Sequence, residues 1–333
     1  VSQRAAIEAF WQWWPTVADE IAKSFSSGGL SQAHIAAMSE HVSAIDDRLD
    51  WEFGPGQKSA HHLCLSSKGD PVLRVIVERW KRSAPSSDGT WEFYGARQAS
   101  PRGGLQLKIG EFDLALDDVR FGVEEDAGRE RLHLTVDHPL FAKIADDELK
   151  HRIAFIALDN TLGEDDVERW VGAIELAKSA LREPVALDAL RARVGRFAAK
   201  ATGDRWSLLK GMFDGAPLFV LLNTAIKRVD HLLLDTHVTV TVTLADPTPD
   251  GLTTNDEAAV LDAMEDALTE RLGADALFVA RETTRGVRVL HFHVMEGGPT
   301  AAIFARWREQ NSAYAIEVAV EHDPRWQILG RWL

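Results

Sequence analysis

The nine residues THVTVTVTL at 236–244 leave the backbone little choice. Val238, Val240, Val242 and Leu244 alternate strictly with Thr239, Thr241 and Thr243. β-Branched side chains at a period of two describe a strand with one apolar and one polar face. Such a strand needs neighbouring strands and a helical layer on its apolar side. The residues that follow supply both. Thr254 and Glu257 form a capping-box pattern ahead of Val260, Leu261, Met264, Leu268 and Leu272, and Gly273 closes that helix. Strands are expected at 276–283 and 287–295, joined around Arg285-Gly286. A helix from Pro299 then carries Ile303, Phe304 and Trp307, and Tyr314, Ile316, Val318 and Val320 alternate in a last strand. The order β-α-β-β-α-β is the ferredoxin-like, split βαβ order. Ahead of it, 206–213 and 217–222 predict a hairpin around Gly215.

The first half is less regular. Ile7, Phe10, Trp11, Trp14, Val17, Ile21 and Phe25 recur at threes and fours, predicting a helix over 2–25 that Pro15 kinks or splits. A second amphipathic stretch, Ile35 to Ile45, leads to short strands at 49–53 and 61–67. Asp70-Pro71 opens a helix through Trp80, and TWEFYGARQ returns as a strand. Segments near 105–109, 112–123 and 129–137 alternate well enough to continue this sheet. Helices are expected in DDELKHRIAFIALDN, in EDDVERWVGAIELAKSAL and in LDALRARVGRFAAKA, the last as part of a connection between halves. The fold class is therefore α+β: two halves with antiparallel sheets backed by helices, an N-terminal domain over 1–183 and a ferredoxin-like domain over 184–333. An internal echo hints at common architecture. DPVLRVIVERWKR (70–82) and GPTAAIFARWRE (298–309) each carry Arg-Trp, each after two strands and before one.

Composition narrows the function. Lys plus Arg number 37 against 51 Asp plus Glu, a formal charge of −14 that repels phosphate backbones and anionic lipid surfaces. No direct nucleic-acid binding and no membrane partner is expected, and with neither an apolar span nor a signal-peptide pattern the expected location is cytoplasmic. The single Cys64 excludes an intramolecular disulfide and multi-cysteine metal sites. The 11 tryptophans are scattered along the chain, which suggests anchors in several small cores.

From about 206 onward the chain resembles the bacterial family designated domain of unknown function 695. The residues that carry the resemblance are NDEAAVLDAMEDALTERLGADALFVARETTRGVRVLHFHV and the closing EHDPRWQIL, with Asp323, Pro324 and Trp326. Where the family pattern expects an aromatic near the end of the third strand, this chain has histidines. The resemblance implies no activity and no catalytic residues.

His291 and His293 are the one arrangement that could pass for chemistry. If Leu290, Phe292 and Val294 face the helices, the two imidazoles lie on the opposite face beside Thr239, Thr241 and Thr243, and Glu282 approaches diagonally from the adjacent strand. Zinc needs every ligand atom at about 2 Å, and this set offers three ligands at best. His291, His293, Glu282 and Thr241 are accordingly read as a polar sheet face for packing or for a partner, with no metal and no cofactor assigned. His61, His231, His237 and His322 show no recognised ligand spacing. Cys64 and His62 share a strand face as an activated thiol would require, but no device for lowering the thiol pKa is visible. Glu164, Asp165 and Asp166, with Asp159 upstream, suit a helix N-terminus electrostatically and lack the pattern of a calcium loop. GPGQKSAHH (54–62) and SPRGG (100–104) are read as hairpin connections, Trp80, Trp170 and Trp307 as core anchors, and Trp326 and Trp332 as packing the tail down. The expected function is a non-catalytic binding or regulatory protein that engages a protein partner, a basic one suiting the charge best, through the face bearing His291 and His293 or the groove between halves. The alternative is a metal-dependent enzyme using His291 and His293.

Overall fold

Pro15 divides the N-terminal helical pattern where its missing N–H would break the ladder. In the computed structural model, which describes residues 2–100, 105–109 and 112–332, α1 (Gln3–Trp13) and α2 (Ala18–Ser26) flank a short 3-10 turn at Trp14–Thr16. After α3 (Gln32–Ile45), β1 (Asp50–Pro55) pairs antiparallel with β2 (His61–Ser66). The Asp70 carboxylate accepts the Val72 N–H at 2.8 Å and caps α4 (Pro71–Arg82), whose crossover returns the chain as β3 (Trp91–Tyr94), parallel to β2. Here the expectation of antiparallel sheets throughout needs correcting. A strand–helix–strand connection delivers its second strand in the direction of the first, and nothing intervenes between β2 and β3.

Tryptophans far apart in sequence meet here. Trp14, Trp80 and Trp91 are buried in one core, with Trp11, Trp13 and Trp51 packed against it. Trp11 stacks on Trp80 at 4.8 Å between ring centroids, and its Nε1–H donates to the Trp80 carbonyl at 2.9 Å. Scatter along the chain thus conceals one aromatic core.

The segments expected to prolong that sheet form separate ones. Strands β4 (Gln106–Ile109) and β5 (Phe112–Ala115) pair with each other, while β6 (Arg120–Asp126), β7 (Arg131–Asp137) and β8 (Val171–Leu176) make a three-stranded sheet. Strand β8 replaces the second half of an expected helix. After α5 (Asp147–Leu162), the helix α6 (Glu164–Trp170) ends at Trp170 because Val171, Ile174 and Leu176 gain more by pairing parallel with β7. Helix α7 (Leu187–Ala198) buries Leu187, Leu190 and Val194 in the core of these elements. The chain accordingly divides into Val1–Glu125 with Arg131–Lys200 and Asp126–Glu130 with Ala201–Leu333, so that α7 belongs with the first unit although the sequence suggested a boundary near 183. The SPRGG connection falls, from 101 to 104, outside the described residues.

The acidic start of α6 is structural. Buried Arg74 pairs with Asp165 and with Glu168, the latter at 3.2 Å, and donates to the Gly95 carbonyl at 3.0 Å. Glu164 accepts the Ser66 hydroxyl at 2.6 Å and the Arg97 N–H at 3.1 Å. Burial, followed by repulsion from Glu164, pushes the Asp159 carboxyl up to about 7. Cys64 lies fully buried on β2, where burial pushes its thiol up, opposite to what a nucleophile needs.

The second unit follows its pattern closely. A hairpin of β9 (Trp206–Phe213) and β10 (Ala216–Asn223) precedes β11 (Thr236–Thr243), α8 (Asn255–Leu272), β12 (Ala276–Thr284), β13 (Val287–Val294), α9 (Thr300–Gln310) and β14 (Ile316–His322). All pairings in its six-stranded sheet are antiparallel, in the order β14-β11-β13-β12-β10-β9. The apolar residues of β11 and β13 pack with Leu261, Leu268, Phe304 and Trp307 of α8 and α9. The Arg-Trp echo has structural counterparts: Trp80 and Trp307 are both buried, each on a helix following an antiparallel strand pair. In the second unit β11 is inserted between the strands that flank the helix; in the first, β2 and β3 touch directly.

A buried carboxyl held protonated weakens the fold once it ionises. Because the folded-state value of Asp159 lies above the unfolded one, its contribution is favourable at low pH and is lost as pH rises through the interval from 3.8 to about 7. Asp159→Asn should therefore match the wild type at pH 4 and exceed it by about 1–2 kcal/mol at pH 8, as measured by urea unfolding at the two pH values.

Candidate functional site

Strand periodicity places His237, Thr239 and Thr241 of β11 on the face away from the helices. Register sets His237 opposite His293 and Thr239 opposite His291 on β13. From β12, Glu282 reaches across diagonally: its register partner is Val289, yet its Oε1 lies 2.9 Å from His291 Nε2. His291 Nδ1 in turn lies 3.1 Å from His237 Nε2. The carboxylate can only accept, so in the neutral rings His291 Nε2–H donates to Glu282, leaving His291 Nδ1 to accept from His237 Nε2–H. The result is a Glu282–His291–His237 chain.

The expected diagonal approach of Glu282 is present, but the openness of the face is not. His291 is 3% and His293 0% exposed. What covers them is the segment after β14. At Asp323-Pro324-Arg325-Trp326 the chain turns back, with Asp323 N–H donating to the Asp235 carbonyl at 2.8 Å and its Oδ1 accepting from Gln327 N–H at 3.0 Å. Trp326, in the left-handed region at φ 55°, lies over His293 with ring centroids 4.2 Å apart and planes at 14°. Its Nε1–H donates to the Leu234 carbonyl at 2.9 Å. Trp332 meets His291 edge-on at 5.4 Å, and Arg331 approaches Glu282 at 3.6 Å. The tail packs down, as expected for Trp326 and Trp332, and it does so on the imidazoles. With Val220, Leu222 and Val279, Trp326 and Leu329 form a second core on this side of the sheet.

Burial and mutual repulsion set the electrostatics. Burial, then the neighbouring His291, lowers His237 to about 4; burial, then His237, lowers His293 to about 3. Both rings are neutral at pH 7. Neither nitrogen of His293 has a well-formed hydrogen bond, so this ring acts as a flat aromatic spacer between Trp326 and His237, whose ring stacks on it at 5.3 Å. The unstacked side of the chain opens on a cleft of about 820 Å³ lined by His237, Thr239, Thr241, Glu282, His291 and Arg331, among others.

This geometry can pass a proton along three groups, yet it does not converge on an ion. His291 has both nitrogens engaged, toward Glu282 and toward His237, and His293 turns its ring face to Trp326. The four residues singled out in the sequence do share one face: Glu282 and His291 touch, Thr241 lines the same cleft, and His293 is sealed beneath the tail. Sequence reasoning gave His237 no role, expected Trp326 to pack the tail without placing it on His293, and missed Arg331. His237 was legible, since it falls in step with Thr239 and Thr241; the placement of Trp326 and Arg331 at the site depends on a turn that brings the tail back.

A histidine whose folded-state value is depressed gives stability that is present above its unfolded pKa and is lost as pH falls from about 6.5 toward 4 and 3, because the unfolded chain takes up protons that the folded one refuses. His293→Phe keeps the stack without the titration, and thermal unfolding should then fall less steeply between pH 6.5 and 4. Trp326→Ala removes the cover and should cost about 3 kcal/mol, measured by denaturant unfolding at pH 7.

No curated protein and no solved structure matches the chain. Residues 204–333, which take in β9 through the Trp326 turn, match the model of a family described as of unknown function, DUF695.

Proposed function

We propose that this chain is a binding or regulatory protein that engages a protein partner through the edge strand β9, where the partner adds an extended segment to the sheet. The observation that carries this is the exposure of β9. Leu208 is 55%, Met212 67% and Phe213 48% exposed, along a strand whose only charge is Lys210. Sheet edges invite pairing unless charged residues guard them. The opposite edge, β14, carries Glu317 and Glu321; β9 has no acidic residue. Trp206, Leu208 and Met212 fall on one face by the period of two, offering alternate side chains for pockets while the backbone supplies hydrogen bonds. A basic partner suits the overall charge of −14, because opposite charge speeds encounter. The cytoplasm is the compartment we assign to this binding.

The face bearing His291 and His293, expected to receive the partner, is largely occupied by the protein's own tail. The alternative of a metal-dependent enzyme using those two histidines gains no support from a pair in which His291 turns its nitrogens to Glu282 and His237 and His293 is buried under the Trp326 ring.

Leu208→Lys with Met212→Lys places charge on the exposed edge and should change folding stability by no more than about 0.5 kcal/mol per site. Crosslinking capture at low and moderate salt should recover a partner with the wild type that salt weakens and the double variant loses. Recovery of the same proteins by both, or of none by either, would defeat the proposal.

A further inference from the structure

Three side chains outside the imidazole chain meet at one end of the same sheet. Asp235 immediately precedes β11, Glu296 lies two residues beyond β13, and His322 is the last residue of β14. Register brings them together, since Thr236 is opposite Val294 on one side and His322 on the other. One carboxylate oxygen from Asp235, one from Glu296 and one ring nitrogen of His322 all lie within 4.8 Å of one another.

The burial is graded in a way that suits ion capture. Asp235 is 1% exposed, whereas Glu296 and His322 are exposed. Asp235 Oδ1 accepts the Glu296 N–H at 3.1 Å and the Thr236 hydroxyl at 3.4 Å, and the Asp235 carbonyl accepts the Asp323 N–H. One ligand is therefore oriented in advance by the strands around it, and the other two reach the cluster from exposed positions. Around a zinc ion with oxygen and nitrogen ligands at about 2.0–2.2 Å, tetrahedral ligand atoms stand roughly 3.3 Å apart. Since the three atoms already lie within 4.8 Å of one another, the contraction needed is at most about 1.5 Å. Two carboxylates this near repel each other, and a divalent cation reverses the sign of that interaction.

Beside the cluster lies an apolar cavity of about 370 Å³, which Glu296 and His322 help to line together with Val238, Phe304 and Val320. We infer that Asp235, Glu296 and His322 form a divalent transition-metal site, for zinc or manganese, whose fourth position takes water or a small oxygen donor. Three protein ligands with one position open is the pattern of sites that exchange a ligand rather than of closed structural ones. Mixed oxygen and imidazole donors suit zinc and manganese over softer ions. The site uses none of Glu282, His291, His293 or β9, and so is independent of the binding surface proposed above.

The test is isothermal titration of zinc chloride, and separately manganese chloride, into the full chain after chelator treatment and dialysis. One ion should bind per chain, and His322→Ala and Glu296→Gln should each weaken binding at least tenfold. Both substitutions are at exposed positions, and circular dichroism matching the wild type establishes that they fold. His291→Gln should bind as the wild type does. Absence of binding to the wild type, or unchanged binding in both exposed variants, would overturn the site, as would loss confined to His291→Gln.

Discussion

The indole of Trp326 lies flat on the imidazole of His293, and the chemistry of that side of the sheet follows from the water such a stack excludes. An imidazole left in solvent titrates near pH 6.5 and stays available as a ligand. Beneath Trp326 the same ring is held neutral and serves as packing surface. The stack also anchors the Asp323 turn, whose backbone bond to Asp235 ties the segment after β14 to the start of β11. One aromatic contact thereby joins a second core to the sheet and limits the cleft to the part beside Glu282, Thr241 and His237.

The two units show opposite relations between pattern and fold. In the second, β11 has its apolar face against helices, so Val238, Val240 and Val242 alternate with threonines and the register can be read in advance. In the first, β2 is covered on both faces: Leu63, Cys64 and Leu65 are all fully buried. Such a strand reads as a short apolar run instead of an alternation, and its parallel pairing with β3 follows from the strand–helix–strand order. The helix–strand change at Trp170 was hidden for a related reason. Val171 to Leu176 is compatible with either period, and only the neighbouring β7 decides between them.

Much the same limit applies to the candidate site. The shared face of His291, Glu282 and Thr241 follows from a period of two, and the diagonal reach of Glu282 from strand spacing. Their burial does not, because it comes from Trp326 and Trp332, in a segment with no periodicity, held by a left-handed residue and a few backbone bonds. The buried ion pairs of the first unit were equally invisible. Acidic residues opening α6 look like ordinary helix electrostatics, while their actual partner Arg74 is some ninety residues earlier.

The sheet order has a kinetic side as well. Strand β11 is flanked by β13 and β14, both of which come later in the chain, with α8 and β12 made before either. Until they arrive, the valine-rich β11 has two open edges and an uncovered apolar face, and closing those long loops is slow compared with forming the helices between them. Its alternating threonines leave one face of the strand polar whether or not its neighbours are in place, so only the valine face waits on the later elements for cover.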